Sequence, residues 1–229
     1  MGRDPDRAAP LVQAFRLGAD VKPAAKAGAV RPELQAFLAA STVQPYLTVG
    51  TIEPRKNQTI LPAVFEEVWR EVPDARLLVA GFVGWKGDEL IRRLRSHPRY
   101  GTHLMHFGDL NDTELLHAYA HARALIFPSR AEGYGLPIVE SLSHGMRVFA
   151  SDIPAHREVG GPWCVYFQPS DVVGLARQIV RWERDGFFPA TQPEGAFASP
   201  TWHQATEQLM QIVFFGTSVD ARHGERAAA

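Results

Sequence analysis

The chain has 229 residues, of which 45% are hydrophobic and 21% charged, and its formal net charge is −1. This composition is typical of a soluble globular protein with one large core or two small domains, and the charge balance disfavours nucleic acid as a partner. The single cysteine, Cys164, excludes an internal disulfide, and the absence of a long apolar run or signal-peptide pattern predicts a cytoplasmic protein.

Taken in chain order, the sequence predicts strands that alternate with helices. Residues 1–10 and 217–229 read as disordered tails, and the short apolar run in residues 11–20 predicts a strand that enters the domain. Further strands are predicted at 46–49, 76–80, 103–107, 124–127, 147–150 and 165–167. Helices are predicted at 32–39, 57–72, 88–94, 112–120 (capped by Asn111 or Asp112), 137–144, 153–159 and 172–184.

This alternation predicts an α/β fold, a single Rossmann-like, doubly wound parallel sheet in a domain of residues 11–185. Proline-rich residues 186–200 follow as a linker, and residues 201–216 as a C-terminal helix. The turns that follow the predicted strands all open at the carboxyl edge of the sheet, where ligands of such folds bind.

Two acidic residues flank the turn between the predicted strand 124–127 and the helix after it. Glu132 lies before the turn, Glu140 lies about one helical turn inside the helix, and seven residues separate them. The start of a helix offers unpaired N–H groups and a partial positive charge, so a phosphate or sugar could bind there between the two carboxylates. The same pattern also fits an ordinary loop with two solvated acids.

A pair of cations follows the first core strand. Arg55 and Lys56 precede the helix predicted at 57–72, where positive charge opposes the helix dipole, and this placement favours a bound anion such as a diphosphate. A solvated Arg–Lys pair is the alternative. His156, near the same edge, is interpreted as a helix-surface histidine rather than a catalyst.

These segments resemble retaining glycosyltransferases of the GT-B fold, the glycosyl transferases group 1 (family 4). The resemblance rests on the Glu–seven–Glu pattern and on residues 49–57, 78–81, 107–110 and 151–159, in that order. It extends over residues 12–215 and implies the C-terminal, donor-binding half of such an enzyme.

The resemblance also implies roles for individual residues. The expected catalytic residues are Glu132, Lys56 and Arg55. Glu132 would face the donor sugar, and the two cations would hold the diphosphate. The resemblance assigns this role more firmly to Lys56 than to Arg55, because some relatives place their arginine where this chain has Thr51. Glu140 would accept hydrogen bonds from the ribose. The expected donor-binding residues are Gly50, Thr51, Phe82, Phe107, Gly108, Gly133, Tyr134, Gly135, Leu136, Ile138 and Glu140.

The expected function is transfer of a sugar, with mannose as the first guess, from a nucleotide-diphospho-sugar to a glycan or lipid-linked acceptor. No metal site and no cofactor are expected beyond the nucleotide-sugar substrate. An N-terminal acceptor domain, in cis or as a separate chain, is the expected partner, and membrane contact at the inner face would come through that half. Two alternatives remain: a non-catalytic nucleotide- or partner-binding module, and half of a sugar-nucleotide epimerase.

Overall fold

The computed structural model describes residues 13–19, 28–40, 43–190 and 195–215. The predicted tails, residues 1–10 and 217–229, lie outside this part of the chain. The strands are β1 Tyr46–Val49, β2 Leu77–Ala80, β3 Leu104–Phe107, β4 Ala124–Phe127, β5 Arg147–Ser151 and β6 Cys164–Phe167. The helices are α1 Pro32–Ala39, α2 Leu61–Glu71, α3 Asp88–Arg95, α4 Asp112–His121, α5 Leu136–Ser143, α6 Pro154–Gly160, α7 Val172–Asp185 and α8 Trp202–Phe215.

The six strands form one parallel sheet in the order β3-β2-β1-β4-β5-β6. The chain builds outward from β1 to β3, then crosses back and continues from β4 on the other side of β1. The direction of winding therefore reverses between β1 and β4, and a doubly wound sheet opens its ligand crevice beyond the carboxyl ends of the strands at such a switch point. The predicted fold class is confirmed.

Alternating strand residues supply two separate cores, one on each face of the sheet. Along β4, Ala124 and Ile126 belong to the core beneath α2, α3 and α7, whereas Leu125 and Phe127 belong to the core beneath α1, α4 and α5. All four side chains are at most 1% exposed. All four residues of β4 are apolar because helices cover both faces of the sheet.

Three predicted elements need correction or refinement. The helix predicted from residue 57 begins at Leu61, because two short 3-10 turns, Pro54–Lys56 and Gln58–Ile60, come first. No strand forms in residues 13–19, which cover most of the strand predicted at 11–20. Asn111, one of the two proposed caps of α4, accepts the Glu114 backbone N–H at 3.1 Å and completes a capping box with the Glu114 side chain.

The chain divides into two compact units, Val21–Ala198 and a unit of Met1–Asp20 with Ser199–Ala229. In the first, Phe188, within the segment that the sequence predicts to be a linker, packs edge-on against Trp182 and Phe149. In the second, the Ala19 N–H donates to the Pro200 carbonyl at 3.1 Å, and α8 buries Ala205.

Candidate functional site

An ion-pair cluster of Lys56, Arg55 and Glu132, with Glu53 as a further partner of Arg55, lies at the switch point between β1 and β4. Lys56, in the turn after β1, places its Nζ 2.7 Å from Oε1 of Glu132, in the turn after β4. The Arg55 Nη1 is 3.1 Å from the other carboxylate oxygen, and the Arg55 Nε is 2.6 Å from Glu53. The Lys56 and Glu132 side chains are only 12% and 7% exposed, whereas Arg55 is 52% exposed. The structure thus brings the three predicted catalytic residues together.

The two turns that carry this cluster are joined by Asn57. Its backbone adopts a left-handed conformation, with φ of 57°, which separates the two 3-10 turns and which asparagine tolerates better than most residues. The buried Asn57 amide donates to the carbonyls of Pro128 at 3.0 Å and Pro169 at 2.8 Å, and its oxygen accepts from Arg130 Nε at 3.0 Å. These bonds fix the turn after β1 against the turn after β4, so Lys56 meets Glu132 in a defined geometry.

The environment keeps Glu132 ionised. Burial acts to raise the pKa of its carboxyl, but the hydrogen bond from Lys56 and the charges of Lys56 and Arg55 outweigh burial and lower the pKa below its ordinary value. A carboxylate with a lowered pKa is a poor proton donor at neutral pH. It suits charge pairing or hydrogen bonding to a ligand instead.

Arg55 and Lys56 do not lie at the start of a helix as predicted. They occupy the last turn of the 3-10 helix Pro54–Lys56, where positive charge does not oppose the backbone dipole. Their charge is instead partly neutralised by Glu53 and Glu132. The case for an anion at this point now rests on two cations gathered at the switch point of the sheet.

The turn before α5 reaches its helix through Gly135, whose φ of 107° is accessible to glycine and strained for other residues. Gly133 is exposed, and Tyr134 and Leu136 are half-buried beside it. Ile138 differs from these neighbours: its side chain is fully buried in the core and its N–H donates to the Gly135 carbonyl at 2.9 Å. Its predicted role in donor binding stays a prediction.

Glu140 does not share the ion-pair cluster. Its Oε2 accepts the Tyr119 hydroxyl at 2.8 Å, and the Tyr119 ring stacks on His144. Burial raises the pKa of the Glu140 carboxyl, although the Tyr119 hydrogen bond opposes that effect. Tyr119 was not among the predicted site residues, because it lies 21 residues before Glu140 on another helix. Tyr119 occupies one of the two oxygens that could receive ribose hydroxyls.

The remaining predicted donor-binding residues line the ends of β1, β2 and β3. Gly50 and Thr51 follow β1, the 65% exposed Phe82 follows β2, and Phe107 ends β3 with Gly108 after it. The turns after β1 and β2 approach so closely that a Cβ on Gly81 would lie 2.1 Å from the Gly50 carbonyl oxygen. Glycine at position 81 is therefore required for these strand ends to lie side by side.

His156 is fully buried, so its interpretation as a helix-surface histidine was wrong. Its Nδ1 lies 2.9 Å from the Ser151 carbonyl, which only accepts, so this nitrogen carries the proton. The Ser151 hydroxyl donates in turn to the Ser129 carbonyl in the turn after β4. Burial lowers the pKa of His156, and the ring braces the turns after β4 and β5 as a neutral group.

Comparison with known proteins assigns the family. The model of the family "Glycosyl transferases group 1" matches residues 31–194. The chain belongs to this family. The match covers the sheet and both turns of the ion-pair cluster, and it confirms the resemblance on which the sequence-based prediction rests.

Several curated relatives of this chain are mannosyltransferases by name. The serotype-specific mannosyltransferase WbdA of Escherichia coli is 34% identical over 161 residues, which are 69% of this chain and 19% of WbdA. The O-antigen chain mannosyltransferase B of Escherichia coli is 33% identical over 105 residues, 46% of this chain and 27% of that protein. The chain thus spans about a fifth to a quarter of the length of these relatives.

Solved structures share the fold at low sequence identity. Sucrose-phosphate synthase from Thermosynechococcus elongatus matches with a TM-score of 0.57 and 22% identity over 68% of this chain and 40% of its own. The C-terminal domain of a glycosyl transferase group 1 family protein (LpcC) from Francisella tularensis matches with a TM-score of 0.54 and 16% identity, over 72% of this chain and 85% of that domain. The fold is that of the C-terminal half of a GT-B glycosyltransferase.

Two further observations concern the described residues alone. None of the helices there is long and apolar enough to cross a membrane. No group of three or more histidine, cysteine or acidic side chains in those ranges could hold a metal ion.

Proposed function

We propose that this chain is the donor-binding domain of a retaining, metal-independent glycosyltransferase that uses a nucleotide-diphospho-sugar. The observation that carries the proposal is the Lys56–Glu132–Arg55 cluster, which gathers two cations at the switch point between β1 and β4. A diphosphate carries negative charge that must be neutralised both on binding and when it leaves.

In the proposed reaction, Lys56 and Arg55 exchange part of their pairing with Glu132 for the diphosphate of the donor. The Lys56 ammonium is well placed for this exchange because its partner holds it at the strand ends before any ligand binds. Negative charge grows on the diphosphate as its bond to the sugar breaks, and both cations then stabilise the leaving group. With two protein cations in this position, we propose that no metal ion is needed.

The same exchange frees the Glu132 carboxylate toward the donor sugar. Its lowered pKa keeps it ionised, so we propose that it positions sugar hydroxyls and stabilises positive charge at the anomeric carbon rather than donating a proton. The turn through Gly133 and Gly135 brings backbone close to the same sugar, and Glu140 would use the oxygen that Tyr119 leaves to accept ribose hydroxyls.

The names of the relatives support mannose as the transferred sugar. WbdA and the O-antigen chain mannosyltransferase B are named for mannosyl transfer, as is the phosphatidyl-myo-inositol mannosyltransferase of Mycolicibacterium smegmatis, 32% identical over 107 residues. We therefore propose a mannosyl donor, and a glycan or lipid-linked acceptor. The acceptor site would lie on an N-terminal domain, in cis or as a separate chain.

The test is a transfer assay with radiolabelled nucleotide-sugars and mannosylated acceptors. The chain joined to a group 1 N-terminal domain should transfer mannose with retention of anomeric configuration and in the presence of a chelator. The chain alone should bind donor without transfer, because near-attack geometry and exclusion of water need both walls of the cleft. Robust transfer by the chain alone would refute the proposal that the cleft needs two domains. Inversion of the anomeric configuration would refute the retaining assignment. Epimerisation of the donor sugar without any acceptor would favour the epimerase alternative.

A further inference from the structure

A pocket lies at the opposite edge of the sheet from the ion-pair cluster. It has a volume of about 590 Å³ and is bordered by α1 and by the residues that precede β2 and β3. Phe37 and Met105 give it apolar walls, Arg76 lies in its lining, and Glu33 and Asp74 stand at its exposed rim. The strands begin here, so the pocket is separated from the carboxyl-end crevice by the length of the sheet.

Arg76 makes this pocket unusual. The residue is 2% exposed, its guanidinium stacks on the Phe37 ring with 4.2 Å between Cζ and the ring centroid, and Nε donates to the Thr102 carbonyl at 3.3 Å. Both terminal nitrogens, Nη1 and Nη2, are buried with no hydrogen-bond partner among the described residues. Burial alone lowers the pKa of this guanidinium, but from an ordinary value of 12.5, and the group stays charged at neutral pH.

A buried guanidinium with two unused terminal nitrogens is costly. Among the described residues no ion pair compensates its lost hydration, and only Nε donates to an acceptor there. Ring stacking offsets part of that cost, because a guanidinium over an aromatic face is attracted to it. The two terminal nitrogens form a planar fork whose geometry matches a carboxylate or phosphate that accepts both hydrogen bonds.

The charge at the pocket rim favours a carboxylate over a phosphate as the ligand. Glu33 and Asp74 place two carboxylates near the pocket mouth, and they repel a phosphate dianion more strongly than a single carboxylate. The apolar walls favour a ligand with an apolar body rather than an inorganic ion. We propose that this pocket binds a small organic monocarboxylate, with the Arg76 fork on the carboxylate and the apolar body against Phe37 and Met105.

The experiment is calorimetric titration of the full chain with sodium benzoate, beside benzamide as an uncharged probe of the same shape and sodium phosphate at matched ionic strength. Benzoate should bind with a dissociation constant on the order of 1 mM, as expected for so small a ligand. Benzamide should bind at least tenfold more weakly, and phosphate more weakly than benzoate. Arg76→Met should abolish benzoate binding and leave binding of nucleoside diphosphates unchanged.

Asp74→Asn supplies a second variant that keeps the fork and removes a rim charge. It should tighten benzoate binding about two- to fivefold at low salt, and so it decides the matter even if Arg76→Met fails to fold. Three results would each overturn the proposal: equal affinity for benzoate and benzamide, tighter binding of phosphate than of benzoate, or no binding at roughly 20 mM benzoate. The last result would show that the pocket holds only water. Loss of nucleotide binding with benzoate binding intact would count against the proposed function and not against this site.

Discussion

If the Lys56–Glu132 ion pair holds a place for the donor diphosphate, substitutions of Lys56 and Glu132 should differ in their effect on ligand binding and resemble each other in their effect on stability. Lys56→Met leaves the 7% exposed Glu132 carboxylate with Arg55 as its remaining cation, at 3.1 Å and half in solvent. Glu132→Gln leaves the ammonium without its charged partner. We therefore compare the two single variants with the double variant in a double-mutant cycle, which measures the coupling between Lys56 and Glu132.

The structure sets the size of the stability effect between two limits. Breaking a fully buried pair costs about 3 to 5 kcal/mol, whereas an exposed pair contributes about 0.2 to 1 kcal/mol. Here both side chains are mostly buried, but Arg55 remains as a second cation for Glu132. We expect each single variant to lose about 1 to 3 kcal/mol, or roughly 2 to 12 °C in Tm. The double variant should lose less than the sum of the two.

Binding of a nucleoside diphosphate should separate the two variants. Lys56→Met removes a cation from the diphosphate and should weaken binding by about 1.5 to 3 kcal/mol, roughly 10- to 150-fold, with the loss shrinking at high salt. Glu132→Gln removes the competing carboxylate and should leave binding unchanged or tighter. Lys86→Met is the matched control, since Lys86 lies over Trp85 in a loop at the same edge and outside the cluster. Calorimetry and thermal unfolding measure both quantities, and equal weakening by Glu132→Gln and Lys56→Met would refute the exchange.

The remaining predictions concern groups around the cluster. Glu140→Gln should weaken nucleotide binding yet keep or raise Tm, because the pKa of the Glu140 carboxyl is raised by burial and the Tyr119 hydroxyl can still donate to the amide oxygen. In thermal scans the wild type should therefore lose stability relative to this variant as pH rises above the ordinary carboxyl value of 4.5. His156→Asn keeps a donor for the Ser151 carbonyl and should lose less stability in urea than His156→Gln, the reverse order contradicting the assigned tautomer. Burial lowers the pKa of His106 and His156, so below the ordinary value of 6.5 the unfolded chain binds more protons than the folded chain. The free energy of unfolding should therefore fall as pH drops through 6.5, and it should fall less steeply in His156→Asn.

The sheet was predictable because its strands are short, mostly apolar runs between helices. β1 and β4 have the predicted bounds, since Gly50 and Pro128 follow them and end the apolar pattern. The start of α2 was not predictable in the same way. The left-handed Asn57 inserts two 3-10 turns before Leu61, and its position depends on carbonyls of Pro128 and Pro169, 71 and 112 residues further along the chain.

The candidate site also combines features that local sequence predicts with features that depend on long-range contacts. Residue types at the ends of strands pointed to Lys56 and Glu132, but their direct pairing joins positions 76 residues apart, and nothing local in the sequence encodes that contact. His156 was misplaced because the helix that carries it is polar in sequence, while its buried face is set by Ser151 and Phe127 on neighbouring strands. Long-range pairing between turns is the part of this site that required a structure.

The central claim, that this domain holds a nucleotide-sugar by its diphosphate, is tested most directly by titrating the chain with nucleoside diphosphates and the matching nucleosides. We expect one nucleoside diphosphate to bind with a micromolar to millimolar dissociation constant, to be displaced by its own nucleotide-sugar, and to lose most of its affinity in Lys56→Met. The matching nucleoside should bind far more weakly. Binding of nucleoside and diphosphate with equal affinity, or no binding of any nucleoside diphosphate at about 10 mM, would contradict the claim.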